Sequence, residues 1–449
     1  MLENSEDSDY IEEWLKERGI SEVEGIVPDM AGVARGKFVP ANKFRREGLK
    51  LPESVLIQTV TGECSDTDQV DEVDRDMILR PDASTIRMVP WASERTALVI
   101  HDCFTQDGDP IDISPRYVLR RVLDLYKAEG WQPVLAPEVE FFLVKPNTDP
   151  DIPLEPPVGR SGRQETVRQA FSIDAINEFD PLIDDIYDFC EAQDIVVDNL
   201  VHEAGAAQLE INFLHGDPLD LADQVFLFKR LVREAAMRRN IYATFMAKPM
   251  ENEPGSAMHM HVSVVDEKTG KNIFTDAKGE DSQAFLSYIA GLQRYIPEAT
   301  MLFAPYVNSY RRFMGRLSSP INVQWGYDNR TVGLRVPRSD TEARRVENRV
   351  PGADANPYLA FAATLAAGYL GMKQKMSPGK QIVGSAYELP HSLPREVSQA
   401  VGMLRASDGM RQMLGDRFIN VYCEMKEEEY TEFFRVISAW EREYLLLNV

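Results

Sequence analysis

The run Gly255-Ser256-Ala257-Met258-His259-Met260-His261-Val262-Ser263-Val264 alternates polar and apolar residues. As a strand it puts His259, His261 and Ser263 on one face and Met258, Met260, Val262 and Val264 on the other. One face can then meet a metal or a phosphate while the other is buried, although an edge strand with solvated histidines would share the pattern. Acids repeat it. Glu138 and Glu140 share a face in the otherwise apolar run 136–144, and Glu210 sits in Gln208-Leu209-Glu210-Ile211-Asn212-Phe213 with His202-Glu203 just upstream. Arg345, Glu347 and Arg349 share a face in a fourth run. Carboxylates bracketed by apolar sequence are costly to bury unless something positive neutralises them, and divalent metals flanked by arginines would do so.

Glu138, Glu140, Glu203, Glu210 and Glu347 with His259 make six candidate ligands, enough for two or three hard divalent ions. Carboxylate oxygens with one imidazole suit Mg2+ or Mn2+ better than zinc. The chain has neither GxxxxGK[ST] nor GxGxxG, so a nucleotide such as ATP would be held by metals and by Arg330, Arg335, Arg345 and Arg349 rather than by a glycine loop. Metal-assisted phosphoryl chemistry is the favoured reading of the spacing; a metallohydrolase and plain surface ion pairs stay open.

Strands and helices must hold these residues. Helices are expected over 10–18, from the Ser114-Pro115 cap to Gly130, and over 165–193, 218–240, 282–295 and 357–375. Strand-like segments are expected near 23–28, 34–39, 55–61 and 85–90. A chain of 449 residues is too long for one typical domain, and a small mixed domain to about residue 110 is expected, with the polar strand faces beyond it. The net charge of −23, from 49 basic and 72 acidic residues, argues against nucleic-acid binding and against an anionic membrane surface. Four scattered cysteines fit a reducing cytoplasm, the acidic start is wrong for a secretory signal, and the most apolar helix is too short to span a bilayer.

Taken together, these runs resemble the glutamine synthetase superfamily, bacterial class I type, along essentially the whole chain. Glu138-Val139-Glu140, His202-Glu203, Gln208-Leu209-Glu210, 255–263, Asn329-Arg330 to Pro337, Arg345-Val346-Glu347-Asn348-Arg349 and Asn356-Pro357-Tyr358 occur in the family's order, and 76–91 resembles its small domain. The resemblance implies an α+β fold: an N-terminal β-grasp domain, residues 1–110, and a catalytic domain, residues 111–449, whose curved antiparallel sheet forms a funnel-shaped site. It implies that Glu140, Glu203 and Glu210 hold the metal nearer glutamate, and that Glu138, His259 and Glu347 hold the metal on the ATP phosphates. His261, Ser263, Arg335 and Arg345 match nucleotide-contacting positions, and Arg330 one that steadies the transferred phosphoryl group. Gly255, Arg312 and Arg349 match the glutamate site. A cytoplasmic dodecamer of two hexameric rings, each site completed by a neighbour, is also implied.

The chain departs from the ammonia-using enzymes where their flap glutamate stands: Ser318 takes that place, and their small-domain Asp-Gly-Ser-Ser motif is replaced near 58–63. Leu51-Pro52-Glu53-Ser54-Val55, Glu253-Pro254-Gly255, Asn308-Ser309-Tyr310-Arg311-Arg312 and the tail 440–445 are similar to γ-glutamylpolyamine synthetases. The expected activity is ATP-dependent ligation of glutamate to a polyamine such as putrescine. An ammonia-using synthetase and an inactive sensor or scaffold are the competing readings. Glu63, with Asp66 and Asp68, is a candidate for the substrate's distal ammonium, against a plain solvated loop. Tyr387 matches a tyrosine that some relatives adenylylate, without further sign of that control.

Overall fold

The computed structural model describes residues 5–47, 49–166, 168–314 and 319–449. Among these, the strands form two sheets. The first holds β1 (Glu22–Pro28), β2 (Ala34–Pro40), β3 (Leu49–Pro52), β4 (Asp76–Pro81), β5 (Arg87–Met88) and β6 (Thr96–Phe104), in the order β2-β1-β6-β4-β3 with β5 also on β6. β1 and β6 are parallel and the other pairs antiparallel.

The second holds β7 (Trp131–Val144), β8 (Val197–His202), β9 (Gln208–Phe213), β10 (Tyr242–Thr244), β11 (Met258–Asp266), β12 (Trp325–Tyr327), β13 (Leu334–Val336) and β14 (Val346–Asn348). Its order is β12-β13-β14-β11-β7-β9-β8, with β10 also on β7. The fold is α+β with a curved sheet, as the sequence implied; the sheet departs from a purely antiparallel one at β12 and β13, which run parallel.

Helix Pro357–Lys373 shows why the core sits beside this sheet. Its residues are apolar on every side, and 357–372 are all buried, the behaviour expected of a helix with no polar face to offer water. Asn356 caps it, accepting from the Tyr358 and Leu359 amides, while its own amide group donates to the carbonyls of Asp29 and Met30 next to the first sheet. The buried Arg116 adds a second tie, between the first sheet and the helix Pro218–Arg238. It pairs with Asp223 at 2.8 Å, with Asp102 at 2.6 Å and with Asp82 at 2.7 Å.

Several boundaries differ from those read in the sequence. Residues 55–61 are no strand: 53–57 form a 3-10 turn, and the Ser54 amide and hydroxyl are taken by Asp74. Near 85–90 only β5 pairs. The helix expected over 165–193 starts at Ile173 and breaks before Asp180, where Pro181 opens a second helix to Ala192. The helix expected over 282–295 continues to Phe303 through Pro297, because the residues beyond it are buried apolar ones that packing retains in the helix.

Candidate active site

Strand alternation aligns the polar side chains, and register brings them face to face. Glu138 lies opposite His259, Glu140 opposite Glu210, His261 opposite Glu347, and Glu347 opposite Arg335. Cross-strand neighbours on one face are close enough to share a ligand. Ligand atoms of Glu138, His259 and Glu347 lie within 4.8 Å of one another, and so do those of Glu140, Glu210 and His259. His259 is common to both groups. Glu203, at the end of β8, is in neither, yet its charge acts on both Glu140 and Glu210.

The electrostatics divide the acids. Burial, reinforced by the Glu203 charge, pushes Glu140 up to about 8. Burial also raises Glu203, and it raises Glu210 well above the usual range, with Glu138, Glu140 and Glu203 adding to the effect on Glu210. Glu347 is buried too, and burial is the largest influence on it, but Arg349, His261 and His259 together outweigh burial and hold it at about 2. Glu138 is pulled below the carboxylate range in the same contest, by hydrogen bonds from His259 and His261. Burial and Arg349 lower His259 to about 4, so its ring is neutral near pH 7 and has a lone pair to give. Hard oxygen donors crowded until some resist ionisation, beside one neutral imidazole, fit a divalent cation such as Mg2+ or Mn2+.

The expected nucleotide residues gather at one side of this cluster. A cavity of about 580 Å3 is lined by Glu138, His261, Ser263 and Arg345 among others. Arg345 Nε donates to His261 Nδ1 at 3.2 Å, so the other nitrogen, Nε2, carries the proton and donates to Glu138 at 2.8 Å. Arg335 Nη1 donates to Glu347 at 2.8 Å. Arg330 is exposed and has no polar partner among the described residues.

At the other side, Arg349 is buried against Glu347. Arg312 is buried as well, and its Nη1 and Nη2 donate to the carbonyls of Val350 and Arg349 at 2.6 and 2.9 Å. Gly255 is required beside it: a Cβ there would stand 2.7 Å from Arg312 Cγ and 2.6 Å from the Ala247 carbonyl. Glu63 lies on a loop tied to the helix Asp416–Phe434, through Val60 to Glu429 and Thr67 to Glu424, and is not among the residues around His259. The Tyr387 hydroxyl is buried. Ser318 lies outside the described residues.

Three supporting residues were not singled out from the sequence. Gln208 Nε2 donates to Glu140 at 3.2 Å and to the Gly255 carbonyl at 3.1 Å, which ties the acid cluster to the glycine. Its place two residues before Glu210, on the same face, was a usable signal. Glu165 Oε2 meets His202 Nε2 at 3.0 Å and accepts from the Ala207 amide at 2.7 Å, while Glu253 accepts from the Ala206 amide. These two acids come from separate loops and clamp the turn that carries Glu203; nothing in their local sequence marks them for it.

Residues 112–445 match the glutamine synthetase catalytic-domain family, so the chain belongs to the glutamine synthetase family. It is an ATP-dependent carbon–nitrogen ligase of the glutamate–amine class. It is 36% identical to gamma-glutamylputrescine synthetase PuuA of Escherichia coli (strain K12), over 95% of this chain and 92% of that one. It is 31% identical to glutamate–isopropylamine ligase of a Pseudomonas species, over 98% of each, and 31% identical to glutamine synthetase of Pyrococcus abyssi, over 93% and 92%. The solved structure of apo GmaS superposes with a TM-score of 0.84 at 26% identity, covering 97% of this chain and 99% of that one.

Proposed function

We propose that this chain joins L-glutamate to a polyamine such as putrescine, forming a γ-glutamyl amide by way of γ-glutamyl phosphate while ATP becomes ADP and phosphate. The observation that carries the proposal is the meeting of two ligand groups on one shared imidazole, His259, beside the cavity lined by His261, Ser263 and Arg345. The similarity to PuuA supports the choice of amine.

In this reading Glu138, His259 and Glu347 hold one divalent ion and Glu140, Glu203 and Glu210 another, two or three ions of Mg2+ or Mn2+ per site. Bound there, the ions supply charge neutralisation for the transferred phosphoryl group, the main task in this chemistry. Ser263, His261, Arg335 and Arg345 orient ATP so that its γ-phosphorus faces the glutamate γ-carboxylate. Arg330, exposed and without a polar partner among the described residues, is available to that phosphoryl group. Arg349 and the Gly255 main chain position glutamate, and Arg312 holds the 349–350 backbone in place as well as adding positive charge. The amine nitrogen then attacks the acyl phosphate carbon and phosphate leaves; a primary amine with a pKa of about 10.4 must first lose a proton to do so. Glu63 belongs to a loop that a neighbouring copy's site would receive.

The remaining assignments follow the family: a β-grasp domain of residues 1–110, a catalytic domain of residues 111–449, and a dodecamer of two hexameric rings in the cytoplasm. No described helix is long and apolar enough to cross a membrane. Incubation with glutamate, ATP, Mg2+ and putrescine should yield a singly glutamylated diamine by mass spectrometry, with ADP in equal amount. Glutamine formed from ammonium, with no product from any diamine, would overturn the choice of amine.

A further inference from the structure

A second cavity, of about 560 Å3, opens away from the acid cluster. It lies between the helix Pro218–Arg238, β10 and the segment 353–355, with the turn 31–34 along one side, and none of the ligand or nucleotide residues named above lines it. Lys229, Arg230 and Arg233, at i, i+1 and i+4 of that helix, gather positive charge there in a chain whose net charge is −23. Lys229 is buried and donates to the Ala355 carbonyl at 2.7 Å. Arg230 meets Glu24 through Nη2 at 2.8 Å, but its Nη1 is buried without a partner. Arg233 stands exposed, 5.2 Å from the Phe245 ring, and has no acceptor among the described residues. Asp354 faces the cations from the opposite wall, its Oδ2 taken by Ser309 and its Oδ1 buried and unpartnered. Glu24 is taken by Arg230, and Asp354 acts on Lys229, which burial lowers to about 7, so Arg233 is left with no carboxylate of its own among the described residues.

A cation with no carboxylate of its own is matched by an anion, and the walls supplied by Phe226, Phe245 and Tyr306 favour a flat apolar body behind the charge. We propose that this cavity is a binding site for a small organic anion, an acidic head group on an aromatic or apolar body, separate from the catalytic site. The head group meets Arg233, and the body lies along the wall that Phe226, Phe245 and Tyr306 line.

The test uses the assembled protein as purified, with saturating Mg2+ and ADP to fill the catalytic site. Benzoate, phenyl phosphate, acetate and inorganic phosphate are titrated by calorimetry into wild type and into Arg233→Gln. An aryl anion should bind wild type about tenfold more tightly than the variant, and more tightly than either bare anion. Whether benzoate or phenyl phosphate prevails then names the head group. Glutamate-dependent phosphate release and assembly should be alike in both proteins. The proposal fails if no aryl anion binds, if Arg233→Gln binds it equally well, or if that substitution changes the assembly, which would place a neighbouring copy in the cavity.

Discussion

Glu140 and Glu210 face each other across β7 and β9 with Glu203 close by, and their shared difficulty in ionising has a measurable consequence. A carboxyl raised in the folded state keeps its proton after the unfolded chain has lost its own. Stability of the metal-free protein therefore falls as pH rises from about 4.5 through about 8, the window set by Glu140. A divalent ion at these oxygens displaces the protons, so its binding strengthens over the same window. Thermal melts should show the metal-free protein losing stability between about pH 5 and about pH 8, with the gain on adding Mn2+ growing across that range. A gain independent of pH would remove these acids from the ligand set. Much of this cluster was legible in the sequence, since period-two alternation put Glu138 with Glu140 and His259 with His261 on common faces. Which acid would sit with which was not readable from alternation, because that depends on register between strands far apart in the chain; the family resemblance grouped Glu138, His259 and Glu347, whose ligand atoms lie together, but put Glu203 with Glu140 and Glu210, where His259 stands instead.

At the scale of elements, the turn between β8 and β9 is held from outside by Glu165 and Glu253. Groups that orient a metal ligand through a second residue typically contribute about 10–100-fold in metal affinity. Glu165→Ala should weaken Mn2+ binding by that order, measured by paramagnetic resonance, and Glu165→Gln, which keeps an acceptor for Ala207, should recover most of it. Equal affinity in all three proteins would leave Glu165 a purely structural residue. Arg116 works on a larger scale, gathering Asp82 and Asp102 at the first sheet and Asp223 of the helix Pro218–Arg238. Removing one partner of a buried ion pair costs about 3–5 kcal/mol, so Arg116→Met should lower stability by that amount in denaturant titration. A change under about 1 kcal/mol would mean that water replaces the arginine freely. Neither Glu165 nor Arg116 could be singled out from the sequence, because their partners are tens of residues away and an isolated acid or arginine carries no periodic signal. The same holds for the parallel pairing of β12 with β13.

For the molecule as a whole, the C-terminal segment leaves apolar side chains in the open. Phe434 is 65% exposed, Trp440 62% and Leu447 91%, a run of the kind that marks an interaction surface. If it packs between copies of the chain, deleting residues 436–449 should reduce the mass measured by light scattering to that of a smaller ring or a single subunit; an unchanged mass would assign the tail another partner. The two-sheet plan and its family were readable from motif order, and the family resemblance carried the expected dodecamer, whereas the cation-lined cavity was not readable, since it arises from surfaces that no single motif encodes. The most direct test of the proposed reaction is glutamate-dependent phosphate release from ATP with Mg2+, comparing putrescine, spermidine, a simple monoamine and ammonium at matched pH. The expected result is a kcat/KM for a diamine or polyamine about tenfold or more above that for ammonium. Ammonium as the best acceptor, or release that needs no acceptor at all, would contradict it.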